Sequence, residues 1–170
     1  DQFMLHLFHR SIVCGVICLS MTALHSADLT AGDWPAFRGP VGLGVTSDTG
    51  FPTSWPPDSN IRWKKALPNR GNESPVVASG LVFVTSATED GSERRLHCFD
   101  RNNGDEKWTR AVSFEAGEKT HQTNPFGAAT PAVSGNRVVV WHGSAGLYCY
   151  DLEGKELWVA QPGTVTHIWG

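Results

Sequence analysis

Beyond residue 31, the side chains most able to ligate a metal or react as nucleophiles are His97, His121, His142, His167, Cys98 and Cys149. The histidines stand 24, 21 and 25 residues apart, whereas a zinc site draws several ligands together and usually takes two from within a few residues. This spacing predicts no metal site. His97 and Cys98 are neighbours, and in a strand they point to opposite faces, so both read as ordinary strand positions. A bridge from Cys98 to Cys149 would need Cα atoms within about 7 Å; two small, buried, apolar side chains are the expected state. The stretch EAGEKTHQTNPFGAATP, residues 115–131, mixes charged, amide, imidazole and aromatic groups. It is the best candidate for a working loop, or else a structural cover over one face. Arg38, in WPAFRGP, is read as a packed structural cation. No nucleophile, base or electrophile pattern emerges, and no catalytic residue is expected.

The elements that would carry these residues come from an internal repeat. SPVVASGLVFVTSA followed by RRLHCFDRNNGDEKW returns as TPAVSGNRVVVWHG followed by AGLYCYDLEGKELW. Cys98 and Cys149 are 51 residues apart, as are Asp100 and Asp151, while Trp108 and Trp158 are 50 apart. A period of this size belongs to a unit that stacks on copies of itself. Each pass divides into four short strands, at 76–78, 81–86, 95–99 and 107–112, then at 132–134, 137–141, 147–150 and 156–160. Ser79-Gly80 and Gly135-Asn136 supply tight-turn chemistry between the first two strands of each pass. The Pro75 to Pro131 step is longer, 56 residues, because residues 88–95 lengthen one hairpin and residues 112–130 form a long connection. Residues 60–67, with Trp63, resemble only the end of a pass and are expected to form a lone outer strand.

Composition agrees with this architecture. Apolar residues make up 40% of the chain, too many for a disordered segment. The 18 glycines and 10 prolines divide that content into pieces suited to strands and turns, so the expected class is all-β. With 17 acidic against 14 basic residues and no long block of either sign, a nucleic acid is not an expected partner.

The N-terminus reads as an export signal. His6, His9 and Arg10 precede the apolar run IVCGVICLSMTAL and then the small residues of HSADLTAG, the three-part pattern of a secretory leader. The run is too short for a membrane-spanning helix, so no transmembrane span is expected in the mature chain. Cleavage after Ala27 or Ala31 would place the product in the periplasm or outside the cell. Because the chain starts at Asp1 and stops at Gly170 just after His167-Ile168-Trp169, both ends are read as cuts in a longer reading frame.

DRNNGDEKW and DLEGKELW, which place Asp100, Gly104 and Trp108 against Asp151, Gly154 and Trp158, resemble the tryptophan-docking motif of quinoprotein-like (pyrroloquinoline quinone-like) β-propellers. The aspartates suit turn hydrogen bonding, the glycines suit positive φ, and the indoles suit packing on a neighbouring blade. GDWPAFRGPVGLGV, then IRWKKALP and NESPVV, resemble the opening of secreted or periplasmic members of that family. The resemblance covers residues 32–170. It implies an all-β, partial β-propeller of four-stranded antiparallel blades, like that of quinoprotein alcohol dehydrogenase. The expected organisation is a signal peptide at 1–31, an N-terminal extension at 32–59, and two nearly complete blades within 60–170. Members usually carry more blades, so absent blades of the same protein are expected partners, together with a protein or carbohydrate ligand. Some members hold pyrroloquinoline quinone and calcium in the central channel and oxidise alcohols or sugars. Their site is assembled from several blades, and no residue here carries over to it. The functional expectation is therefore a non-catalytic exported scaffold or binding module. The alternative is a fragment of a quinone-dependent alcohol or sugar dehydrogenase whose catalytic residues lie in absent blades.

Overall fold

The computed structural model describes residues 32–57 and 59–164; the signal-like run and His167 lie outside the described residues. Two four-stranded antiparallel sheets follow one another in meander order. The first comprises β1 (Val76–Ala78), β2 (Leu81–Ala87), β3 (Glu93–Asp100) and β4 (Glu106–Ser113). The second comprises β5 (Ala132–Ser134), β6 (Arg137–Trp141), β7 (Leu147–Asp151) and β8 (Glu156–Ala160), with a single 3-10 turn at Gly143–Ala145 before β7. All eight expected strands are present, and β3 begins two residues before its expected start. Ser79 at φ 52° and Gly80 at φ 76° make the β1–β2 turn with both central residues left-handed, which matches the twist of the strands it joins.

One core runs through both sheets. Val76, Phe83, Leu96, Cys98 and Trp108 of the first pack with Val138, Val140 and Tyr150 of the second. Cys98 and Cys149 are both buried and both free. Burial pushes the Cys98 thiol up to about 12, so at neutral pH it is a small apolar side chain rather than a nucleophile. The sheets approach each other most closely at β1 and β5, the short inner strands. The N-terminal extension ties these two together. Trp34 pairs with Val77 through two backbone hydrogen bonds of 2.6 and 3.0 Å, and the Pro35 carbonyl accepts from the Val133 N–H at 2.7 Å.

Two expectations need correction. Residues 61–67 form no ladder, so the lone outer strand at 60–67 is not found. That segment is held by its side chains, chiefly Trp63, and no described strand lies alongside to receive its backbone hydrogen bonds. Arg38 is not packed either. It is exposed, sits at φ 62°, and its guanidinium lies over the ring of the neighbouring Phe37, itself exposed, at 5.6 Å from the centroid. The turn it occupies needs its backbone, since its carbonyl accepts from the Gly44 N–H at 2.9 Å.

Candidate functional site

The two copies of the aspartate–glycine–tryptophan motif act across the blade boundary rather than within one copy. The Trp108 indole N–H donates to the Leu152 carbonyl at 2.8 Å, and the ring tilts 49° against Tyr150 at 6.2 Å. Gly154, at φ +82°, lies directly under it: a Cβ there would come within 2.7 Å of the indole. Trp63 repeats this geometry one blade earlier. Its N–H donates to the Arg101 carbonyl at 2.9 Å, its ring tilts 49° against Phe99 at 6.4 Å, and a Cβ on Gly104 would meet it at 2.7 Å. The aspartates close the receiving turns. Asp100 accepts from the Asn102 N–H at 2.8 Å, and Asp151 from the Lys155 N–H at 2.7 Å. The Asn102 bond, with Lys107 alongside, holds the Asp100 carboxyl below its usual range.

Sequence reasoning missed the device that aims the indoles. In each blade the register slips by one residue opposite the same place, between Cys98 and Phe99 and between Cys149 and Tyr150. Lys107 and Leu157 are left over, which is a β-bulge. Trp108 and Trp158 then stand opposite the two cysteines. Trp108 is only 9% exposed, whereas Trp158, in the matching place, is 43% exposed.

A second constellation lies on one face, around the 115–131 loop. Arg94 shares strand parity with Leu96 and Cys98 and is fully buried. Its guanidinium donates to the Gly91 carbonyl at 3.3 Å, to the His142 carbonyl, and to Glu118 at 2.5 Å. It also packs over the rings of Phe114 and Phe126 at 5.0 and 4.8 Å. Glu118 accepts in addition from the Ser144 hydroxyl at 2.8 Å. Burial works to raise the Glu118 pKa, but the Ser144 and Arg94 hydrogen bonds and the adjacent cation together hold it below its usual range. The other end of the loop rests on β2: the Gly127 carbonyl accepts from the Asn72 N–H at 3.1 Å and from the Thr85 hydroxyl at 3.3 Å. A Cβ on Gly127 would strike the Ser86 backbone at 2.8 Å, so only glycine lets the loop lie this close. A cleft of about 310 Å³ opens beside this anchor, with Lys119, Thr120, Asn124, Phe126 and Trp141 on its walls. Arg94 was hidden in the sequence within an apparent hairpin insertion. The signal was an arginine on the inward parity of an apolar strand.

The described histidines are placed separately. His97 is buried, with Nε2 bonded to the Ser86 hydroxyl at 2.8 Å and Nδ1 to that of Thr109 at 2.9 Å. His121 is exposed and bonds Thr123. His142 is buried with no hydrogen-bond partner for Nε2, and its ring tilts against Tyr148 at 5.8 Å. Burial first, and the Arg94 charge second, push the His142 pKa down from 6.5 to about 4. The unfolded chain therefore binds a proton between these values that the folded chain refuses. Stability from this group is full above pH 6.5 and is lost as the pH falls toward 4, by about 3 kcal/mol in total. Burial lowers the His97 pKa as well, which acts in the same direction. Urea unfolding across pH 7 to 4 should show this slope. His142→Phe, which keeps an aromatic ring and removes the titration, should flatten most of it; an unchanged slope would place the proton uptake elsewhere.

The inner strands are where a channel-bound quinone and its calcium would need carboxylates, stacking groups and a cation. Here β1 and β5 carry Val76, Val77, Ala78, Ala132, Val133 and Ser134. Among the described residues, no three His, Cys, Asp or Glu side chains gather in a way that could hold a metal ion. The β1 and β5 side chains offer such a group neither a carboxylate nor a cation. No helix among the described residues is long and apolar enough to cross a membrane.

Four-stranded antiparallel sheets placed side by side, linked by an indole reaching from one onto the turn glycine of the next, define a propeller repeat protein. The chain belongs to the PQQ-like β-propeller family: the family model described as outer membrane protein assembly factor BamB matches residues 43–161. No curated protein matches. Among solved structures, a europium-containing methanol dehydrogenase and BamB from Moraxella catarrhalis each align with 59% of this chain at 20% identity and a TM-score of 0.38. Those alignments take in 19% of the dehydrogenase chain and 30% of the BamB chain, so this chain spans less than a third of either.

Proposed function

We propose that this chain is part of an exported, non-catalytic propeller that works as a binding module through the cleft beside the 115–131 loop. The observation that carries the reading is the anchoring of that loop. A buried Arg94–Glu118 pair, cross-braced by Ser144 and two phenylalanine rings, holds a cleft wall in place before any ligand arrives, which lowers the ordering cost of binding. A thiolate nucleophile would need a lowered pKa, whereas burial pushes both the Cys98 and the Cys149 thiols up. Export is supported by the leader-like pattern of residues 1–31.

The test is made on the native secreted product, whose N-terminal sequence should begin after Ala27 or Ala31. Its absorption spectrum should lack bound quinone, and addition of pyrroloquinoline quinone with calcium should produce no alcohol or sugar oxidation. Quinone- and calcium-dependent turnover would replace the binding module with a dehydrogenase. A product retaining residues 1–31 would remove the case for export.

A further inference from the structure

We propose that the axial edges of β1 and β5 form a docking groove for an extended tryptophan–proline segment, and that residues 33–36 fill it in cis, so that the chain plugs its own central channel at these two blades. The inference stands apart from the binding-module reading and from the 115–131 cleft. It starts from the register of the two inner hairpins. Ala78 pairs with Leu81 across a two-residue turn, so Val77, opposite Val82, stands where neither of its backbone groups bonds β2. Val133, opposite Val138, holds the same place in the second sheet. The backbone groups of Val77 and Val133 therefore point away from their own sheets, toward the axis on which the inner strands of a propeller converge.

Two consecutive residues of the N-terminal extension meet these groups. The Trp34 N–H donates to the Val77 carbonyl at 2.6 Å, the Trp34 carbonyl accepts from the Val77 N–H at 3.0 Å, and the Pro35 carbonyl accepts from the Val133 N–H at 2.7 Å. A residue before proline is held extended, which is the backbone Trp34 needs to pair with β1. The second position uses only a carbonyl, so the N–H that proline lacks is not missed. The segment is also fastened at both ends. Asp33 is buried, and its carboxylate lies 3.7 Å from Arg101 of the β3–β4 turn. Gly39, at φ 76°, closes a turn by donating to the Ala36 carbonyl at 2.9 Å. It lies against the Trp34 indole, where a Cβ would come within 2.8 Å. An open strand edge is where an extended peptide adds by main-chain hydrogen bonds, and here that peptide is the chain's own. Any ligand lying on the axis against β1 and β5 would first have to displace it.

The experiment is hydrogen exchange, read by mass spectrometry on the full native chain. Peptides carrying the Val77 and Val133 amides should be protected in the parent. Deleting residues 33–38 should speed exchange of those two amides by about tenfold or more, while β3 and β7 stay as protected as before. Gly39→Val removes no residue but drives the indole out of its turn, and should loosen the same two amides. A synthetic peptide of residues 32–40, added in trans at about millimolar concentration, should restore protection to either variant. A peptide of the same composition with Trp34 and Pro35 exchanged should not. Equal exchange of the two amides in the parent and in Gly39→Val overturns the proposal. So does a loosened edge that the peptide of residues 32–40 leaves unprotected, or one that the exchanged peptide protects as well.

Discussion

Replacing Trp108 with alanine should cost this protein about 4 kcal/mol of unfolding free energy, the largest loss expected from any single truncation in it. Three contributions coincide at this ring. It fills the seam between the sheets, against Phe83 at 5.8 Å on one side and Tyr150 at 6.2 Å on the other. Its N–H satisfies the Leu152 carbonyl, which would otherwise lose a partner inside the seam. It also lies on Gly154, which has no side chain to fill the space left behind. Trp158 is the internal control. It holds the same register opposite Cys149 but is 43% exposed, so Trp158→Ala should change stability by less than about 1 kcal/mol. Urea unfolding of the two variants decides the matter. Similar losses for both would mean that the repeat position rather than the blade contact sets the energy.

Arg94→Leu should be the second most damaging change, at about 3 kcal/mol. A buried ion pair contributes little net stability against an apolar pair of the same shape, but removing one member leaves its partner uncompensated. Here the partners are Glu118, which is only 16% exposed, and the carbonyls of His142 and Gly91. The loss should be local in its first effect. Hydrogen exchange should rise across residues 115–122, because Glu118 ties that end of the loop to the first blade, while the end held on β2 through Gly127 and the strands β5 to β8 keep their protection. Arg94→Leu combined with Glu118→Gln should recover part of the stability by removing the stranded charge. If the double variant is as unstable as the sum of the singles, the stacking on Phe114 and Phe126 carries the energy instead of the pair.

These two positions differ in how far they could be read in the sequence. Trp108 announces itself, because an indole that returns at a fixed interval after an aspartate and a glycine is doing the same structural job each time. Trp63 has only the last part of that pattern and reads as a strand, since an isolated tryptophan segment does not say whether its backbone or its ring makes the contact. The ring makes it, through the Arg101 carbonyl and over Gly104. Arg94 gave a weaker sign, and its partner Glu118 lies 24 residues away in a loop with no periodicity. Nothing local pairs a strand arginine with one particular loop carboxylate.

The sequence by itself determined the all-β class, the eight strands, the turns between them and the family, because each of these depends on residues close together in the chain: alternation along a strand, glycines that permit positive φ, and a motif that recurs with the period of the repeat. Only the tertiary structure decided that each motif glycine is covered by the tryptophan of the preceding unit, that a bulge aims that indole, and that residues 32–36 cross both inner strands. The cleft belongs to this second group as well. It is made where a loop from between the sheets meets the end of β6, and its shape depends on a buried charge pair whose two members the chain separates and only packing brings together.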